Sequence, residues 1–223
     1  MLLRFREPPL DAIFAGGSGP PTVALLHGYG ATAEDWEPFL KTIAFPEGTR
    51  LIFPKGPSVG GLEHGRGWWN LDLTTVVRPG SDGPDLSRQQ PPGIKTAARL
   101  VEDLLNGIEG PVILGGFSQG AMVSAEIAFQ SDQPLAALIL LSGTTVDEAA
   151  WVRRLPRRRG LRVFMAHGRD DGTLSFQNSD RFRAKLETAG LEVTWVPFDG
   201  GHEIPSEVVV ALNAFLKSLT PGP

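Results

Sequence analysis

The chain has 223 residues, of which 41% are hydrophobic and 21% charged, the make-up of an ordinary globular protein. That length suffices to bury roughly 70% of the surface exposed by the unfolded chain. Zero cysteines exclude disulfides, thiolate metal sites and a cysteine nucleophile, and a net charge of −4 gives no reason to expect nucleic acid or another polyanion as partner.

The opening residues, MLLRFREPPLDAIF, are broken by Arg4, Arg6, Glu7 and two prolines, too early for the apolar core of a signal peptide. No apolar run approaches the roughly 20 residues that span a bilayer, so no stable membrane insertion is expected and the cytoplasm is the expected compartment. A first strand is expected near Leu10–Phe14. Further strands are read at Thr22–Leu26, Leu51–Phe53, Val112–Leu114, Leu135–Leu141, Leu161–Ala166 and Leu191–Val196. Several of these are almost continuously apolar, as strands covered on both faces must be.

Helical periods alternate with the strands. Ile94, Ala97, Ala98, Val101, Leu104, Leu105 and Ile108 repeat at i, i+3, i+4 and i+7 spacing. Val208, Val209, Leu212, Phe215, Leu216 and Leu219 do so near the C-terminus, with Pro205 suited to a first helical turn. The alternation predicts an α/β fold: one domain over residues 1–223, a mostly parallel sheet with helices on both faces and no large cap domain. A long Gly- and Pro-rich stretch, about residues 54–92, carries Trp68 and Trp69. Bulky aromatics in so long a loop favour packing, and the pair is expected to line the substrate site. The run Arg153–Arg162 holds six arginines and is expected to be a solvated connection leading into the strand at Leu161.

Chemistry concentrates at the ends of the strands. Gly116-Phe117-Ser118-Gln119-Gly120 follows the run through Leu114 and precedes Ala121–Phe129, a segment of helical composition. A sharp turn from strand to helix exposes a serine hydroxyl, and it needs small residues on either side. Such a hydroxyl requires a general base. Where the base follows the acid and the acid follows the serine, His167 and His202 are the histidines in order. His202 lies in Asp199-Gly200-Gly201-His202-Glu203, between the last strand and the last helix, and is the expected base. His167 is expected to shape the turn presenting the acid. On spacing, Asp170 and Asp171 both qualify as that acid, and Asp199 is disfavoured because it lies only three residues from His202. His27-Gly28-Tyr29-Gly30 follows the Thr22–Leu26 strand and can turn a backbone N–H toward Ser118, where a donor held in place stabilises an oxyanion.

Four separated pieces together resemble the phospholipase/carboxylesterase family of the α/β-hydrolases, which includes acyl-protein thioesterases and small bacterial carboxylesterases. They are Leu26-His27-Gly28-Tyr29-Gly30 with Trp36 after it, the Ser118 elbow, His167-Gly168-Arg169-Asp170-Asp171, and Gly201-His202-Glu203. They span residues 26 to 203. The resemblance implies Asp171 as the acid, with Tyr29 and Gln119 supplying the two oxyanion N–H groups. It also implies a substrate site near Trp68, Trp69 and Leu174. The family's Val-Pro pair shortly after the acid is replaced here by Leu174-Ser175. The expected activity is hydrolysis of small carboxylic esters of short to medium acyl chains through an acyl-enzyme. Thioester or lysophospholipid cleavage is the alternative, and a non-catalytic ligand-binding protein the alternative of another class. No metal or organic cofactor is called for, and homodimer formation is left open.

Overall fold

The computed structural model describes residues 10–60, 62, 64–71 and 83–219. Among the described residues seven strands form one sheet: β1 (Ala12–Gly16), β2 (Gly19–Leu26), β3 (Thr49–Pro54), β4 (Val112–Phe117), β5 (Leu135–Leu141), β6 (Arg162–Gly168) and β7 (Glu192–Phe198). Their order is β1-β3-β2-β4-β5-β6-β7, with β1 antiparallel to β3 and every other pair parallel. The helices are α1 (Ile94–Leu105), α2 (Gln119–Gln130), α3 (Glu148–Arg154), α4 (Phe176–Thr188) and α5 (Ser206–Leu219). Short 3-10 segments cover Ala33–Lys41 and Leu155–Arg158.

Alternate residues of the strands face opposite sides, which divides the core in two. Ala24, Leu26, Leu114, Leu138 and Met165 pack with α1, α2, Trp151 of α3 and Phe182 of α4. Val23, Leu25, Ile113, Ile139 and Phe164 pack with Trp36 of the first 3-10 segment and with Leu212 and Phe215 of α5. The sheet is therefore covered on both faces, in keeping with its apolar strands.

The chain leaves β2 toward β3 on one side, and β4 then lies on its other side. Loops diverge at such a reversal and leave a crevice at the carboxyl ends of the strands. Residues 27–30 emerge from β2 there, and Ser118 from β4.

Some sequence boundaries shift. The first strand is Ala12–Gly16 rather than Leu10–Phe14, and β6 runs on through His167 and Gly168. Helices α3 and α4 were not foreseen. In α4 only Phe182 and Leu186 are buried apolar side chains, too thin a stripe to announce a helix.

The basic run is also more than a solvated connection. Its residues close α3, form the second 3-10 segment and enter β6. Arg158 is half-buried and donates from Nε to the carbonyl of Ala128 (2.6 Å), from Nη1 to Gln133 (3.0 Å) and from Nη2 to Ser131 (2.9 Å). A planar five-donor fork is suited to carbonyls left open where a helix ends, here α2. Arg158→Leu should lower stability by about 1–3 kcal/mol, read as a lower Tm, while kcat on an ester substrate stays at the wild-type value.

Candidate active site

The sharp turn between β4 and α2 brings Ser118 to the crevice. Ser118 has φ 55° and ψ −119°, a strained conformation for a residue with a side chain. Its N–H is held by the Leu141 carbonyl at 2.9 Å. A Cβ on Gly116 would lie 2.6 Å from the Leu26 oxygen, and one on Gly120 would lie 2.6 Å from the His27 oxygen. The elbow thus sits directly on the end of β2, and nothing larger than glycine fits at either position.

Ser118 Oγ–H donates to His202 Nε2 at 2.9 Å, and His202 Nδ1–H donates to Asp171 Oδ2 at 2.7 Å. These partners fix the histidine tautomer. The Phe117 ring packs against the imidazole, with centroids 4.8 Å apart. The ladder between β6 and β7 continues into their loops and joins acid to base. Arg169 N–H donates to Phe198, and Asp170 N–H to Gly200, each at 2.9 Å. Gly168 lies so close to the Gly200 and Gly201 carbonyls that a side chain there would collide with them.

Asp171 is fully buried, whereas Asp170 is exposed and Asp199 pairs with Arg169 at 3.4 Å. Thr173 and Leu174 N–H groups donate to Asp171 Oδ1 at 2.8 and 2.9 Å. His167 Nε2 lies 3.1 Å from Oδ2. Burial by itself raises the pKa of this carboxyl, but the hydrogen bonds from His167 and His202 outweigh it and hold the group well below the usual carboxylate range.

Gln119 follows the serine directly, and Tyr29 follows Gly28. Gln119 opens α2, and Gly28 lies against Phe117 and Ser118. Neither the Tyr29 nor the Gln119 backbone N–H meets an acceptor among the described residues. The loop carrying Tyr29 is tied down at several points. Gly30 N–H donates to Arg66 at 2.8 Å and Arg66 N–H to Ala31 at 3.0 Å. His27 Nδ1–H donates to the Gly28 carbonyl at 2.8 Å, and its Nε2 accepts from Gly56 N–H at 3.0 Å. The ring is therefore neutral, and burial holds its pKa below the ordinary histidine value.

Trp68, Trp69 and Leu174 are almost wholly enclosed. They are 3%, 6% and 2% exposed and join the core beneath α1 and α2. Trp68 stacks on His27 at 5.2 Å, its indole N–H donates to the His27 carbonyl at 2.9 Å, and its backbone N–H donates to Gln119 Oε1 at 2.7 Å. Gln119 Nε2 in turn donates to the Trp69 carbonyl at 2.9 Å. Aromatic area and a buried amide clamp serve to pin the loop. Residues 61, 63 and 72–82 of that stretch lie outside the described residues.

The opening beside the serine is lined elsewhere. His27, Gly28, Ala31, Trp36, Phe39, Phe117, His202 and Ile204 enclose a largely apolar cleft of about 310 Å³, with Asp35 and Glu203 also on its lining. Sequence reasoning missed Phe39 and Ile204, and noted Trp36 and Phe117 only as parts of motifs. Among the described residues no group of three or more His, Asp or Glu side chains is placed to hold a metal ion. No helix among them is long and apolar enough to cross a membrane.

The sequence model of the phospholipase/carboxylesterase family matches residues 15–220. The chain belongs to this family. It is a hydrolase with the α/β-hydrolase fold. The acyl-protein thioesterase 1 homolog 2 of Dictyostelium discoideum is 32% identical over 163 residues, covering 67% of this chain and 69% of the relative. Acyl-protein thioesterase 1 of Neurospora crassa is 26% identical over 235 aligned residues, covering 97% and 93%. Among solved structures, esterase PE8 superposes with a TM-score of 0.79 at 27% identity, covering 96% of this chain and 100% of that one.

Two outcomes are expected. Because Asp171 is held below its unfolded value of about 3.9, its ionisation stabilises the fold above that pH, and this contribution is lost as pH falls further. The stability gap between wild type and Asp171→Asn should therefore be widest above about pH 5 and shrink on acidification, as measured by urea unfolding across pH. Trp69→Ala should cost about 3–5 kcal/mol of stability and leave the acyl-chain preference of the folded fraction unchanged, as read from kcat/KM on p-nitrophenyl esters.

Proposed function

We propose that the chain is an acyl hydrolase that cleaves acyl thioesters and esters, with Ser118 as nucleophile, His202 as general base and acid, and Asp171 as the group orienting His202. The observation that carries this reading is the unbroken hydrogen-bonded chain Ser118–His202–Asp171 beside an apolar cleft. In the first step Ser118 Oγ forms a bond to the acyl carbon while its proton passes to His202 Nε2. The carbonyl oxygen becomes an oxyanion, held by the Tyr29 and Gln119 N–H groups. These donors are fixed before charge develops, and one such donor is worth about 3 kcal/mol of barrier. The tetrahedral species collapses, the bond to the leaving alcohol or thiol breaks, and His202 returns the proton to it. Water then repeats the sequence on the acyl-enzyme and releases the acid.

The acyl chain is assigned to the cleft, against Trp36, Phe39, Phe117 and Ile204. Thioester cleavage stands first because the curated relatives named above are acyl-protein thioesterases. A plain carboxylesterase is the second reading, favoured by the likeness to esterase PE8. In either case the substrate is a small acyl compound or an acylated side chain, and the reaction is placed in the cytoplasm.

Ser118→Ala should keep the fold, by circular dichroism, and lose nearly all turnover. A residue about 10³–10⁴-fold above the uncatalysed rate should survive through the oxyanion donors. The subclass is read from kcat/KM on p-nitrophenyl esters from acetate to palmitate beside an S-palmitoyl peptide. Thioester cleavage at least as efficient as cleavage of the matching ester supports the first reading, and ester cleavage alone the second. Full activity in Ser118→Ala would overturn both.

A further inference from the structure

His167 is a buried imidazole to which the reaction sequence above gives no task. It is 1% exposed, lies near the end of β6 opposite Pro197 of β7, and meets the edge of Phe176 at 6.1 Å. Its Nε2 lies 2.9 Å from the Leu174 carbonyl and 3.1 Å from Asp171 Oδ2. A carbonyl oxygen can only accept, so Nε2 carries a proton, and that proton is shared between the carbonyl and the carboxylate. The oxygen it reaches on Asp171 is the same one that takes the His202 Nδ1–H.

Asp171 consequently has four donors: the Thr173 and Leu174 amides on Oδ1, and the two imidazoles on Oδ2. The two histidines approach from different elements, His167 from β6 and His202 from the loop after β7. No lysine or arginine bonds to the carboxylate among the described residues. An ionised carboxylate offers about four acceptor positions, so this one is filled. Leu174 closes a ring: its N–H donates to Asp171 while its carbonyl accepts from His167. The carboxylate cannot rotate without breaking bonds on both oxygens.

We infer that His167 is a positioning residue for the hydrolytic reaction, acting through Asp171: its Nε2–H fixes the carboxylate and competes with His202 for the charge on Oδ2. The inference rests on the triad reading above. Its sign follows from the shared oxygen. With His167 present, part of the charge on Oδ2 is already engaged, so the imidazolium formed on His202 is held less tightly than a lone carboxylate would hold it. Removing the donor frees that charge for His202 and frees the carboxylate to turn.

The test compares His167→Phe, which keeps the ring volume without a donor, with His167→Gln, whose amide nitrogen can reach the Nε2 position. Both are assayed on p-nitrophenyl butyrate across pH. In His167→Phe, kcat should fall on the order of 10- to 100-fold, KM should stay within about twofold, and the acid limb of kcat/KM should move to higher pH. His167→Gln should recover kcat and return the limb toward wild type. A folded His167→Phe with wild-type kcat, or an unshifted acid limb whatever the rate, makes His167 a packing residue and overturns the inference. Should His167→Phe fail to fold, long-range proton–nitrogen NMR of the wild-type protein decides: the neutral Nε2–H tautomer supports the inference and an Nδ1–H tautomer overturns it. This readout needs no turnover, so it separates failure of the His167 role from failure of the Ser118 reading.

Discussion

Two stretches of backbone touch with no side chain between them where the turn after β4 rests on the end of β2. At Gly116 and Gly120 the neighbouring atoms are carbonyl oxygens of Leu26 and His27, and even a methyl group would force strand and helix apart. The rest of the site depends on that approach. It holds Ser118 at a positive φ, a conformation costing about 1–3 kcal/mol that persists only where the surroundings over-determine it. It also starts α2 immediately behind the serine, so the Gln119 N–H, which meets no acceptor among the described residues, is left open beside Ser118. Because β2 and β4 are neighbours at the sheet's reversal point, the loop leaving β2 lies beside the serine without any long excursion.

A second constraint is electrostatic. A carboxylate taken wholly out of water is unstable unless its lone pairs are met by donors, and Asp171 meets four. That requirement organises the far side of the site. It fixes the course of residues 171–174, holds β6 and β7 together beyond their ladder, and aims His202 at Ser118. The loop from β2 is anchored by different means. It relies on His27, on Trp68, and on Gln119, whose side chain bridges two tryptophan backbones. One residue, Gln119, thus leaves its main-chain N–H open beside Ser118 and gives its side chain to the scaffold.

Much of this was legible in the sequence because it is encoded locally. Apolar runs mark buried strands, and a strand followed by Gly-x-Ser-x-Gly and a helical segment marks the elbow. Chain order narrowed the histidines to two. Spacing placed Asp170 and Asp171 side by side, and the fold separates them by burial: one is exposed, the other enclosed by donors. What was illegible depends on partners distant in sequence. Arg158 looks like one more surface charge until the carbonyls of residues 128, 131 and 133 are seen around it. Trp68 and Trp69 carry the same apolar signal whether they pack on substrate or on core. Phe39 and Ile204 lie 165 positions apart, so nothing local reveals the cleft that they share.

The neutral state of His27 gives the fold an acid sensitivity of its own. Nε2 must stay unprotonated to accept the Gly56 N–H, and burial lowers the folded-state pKa. Below about pH 6.5 the unfolded chain takes up a proton that the folded one refuses, so folding weakens as pH falls. Protonating His27 would break the bond from Gly56 N–H and loosen the loop that it anchors. Mild acid therefore weakens the fold at the loop that follows β2, through a histidine that lies outside the Ser118–His202–Asp171 chain.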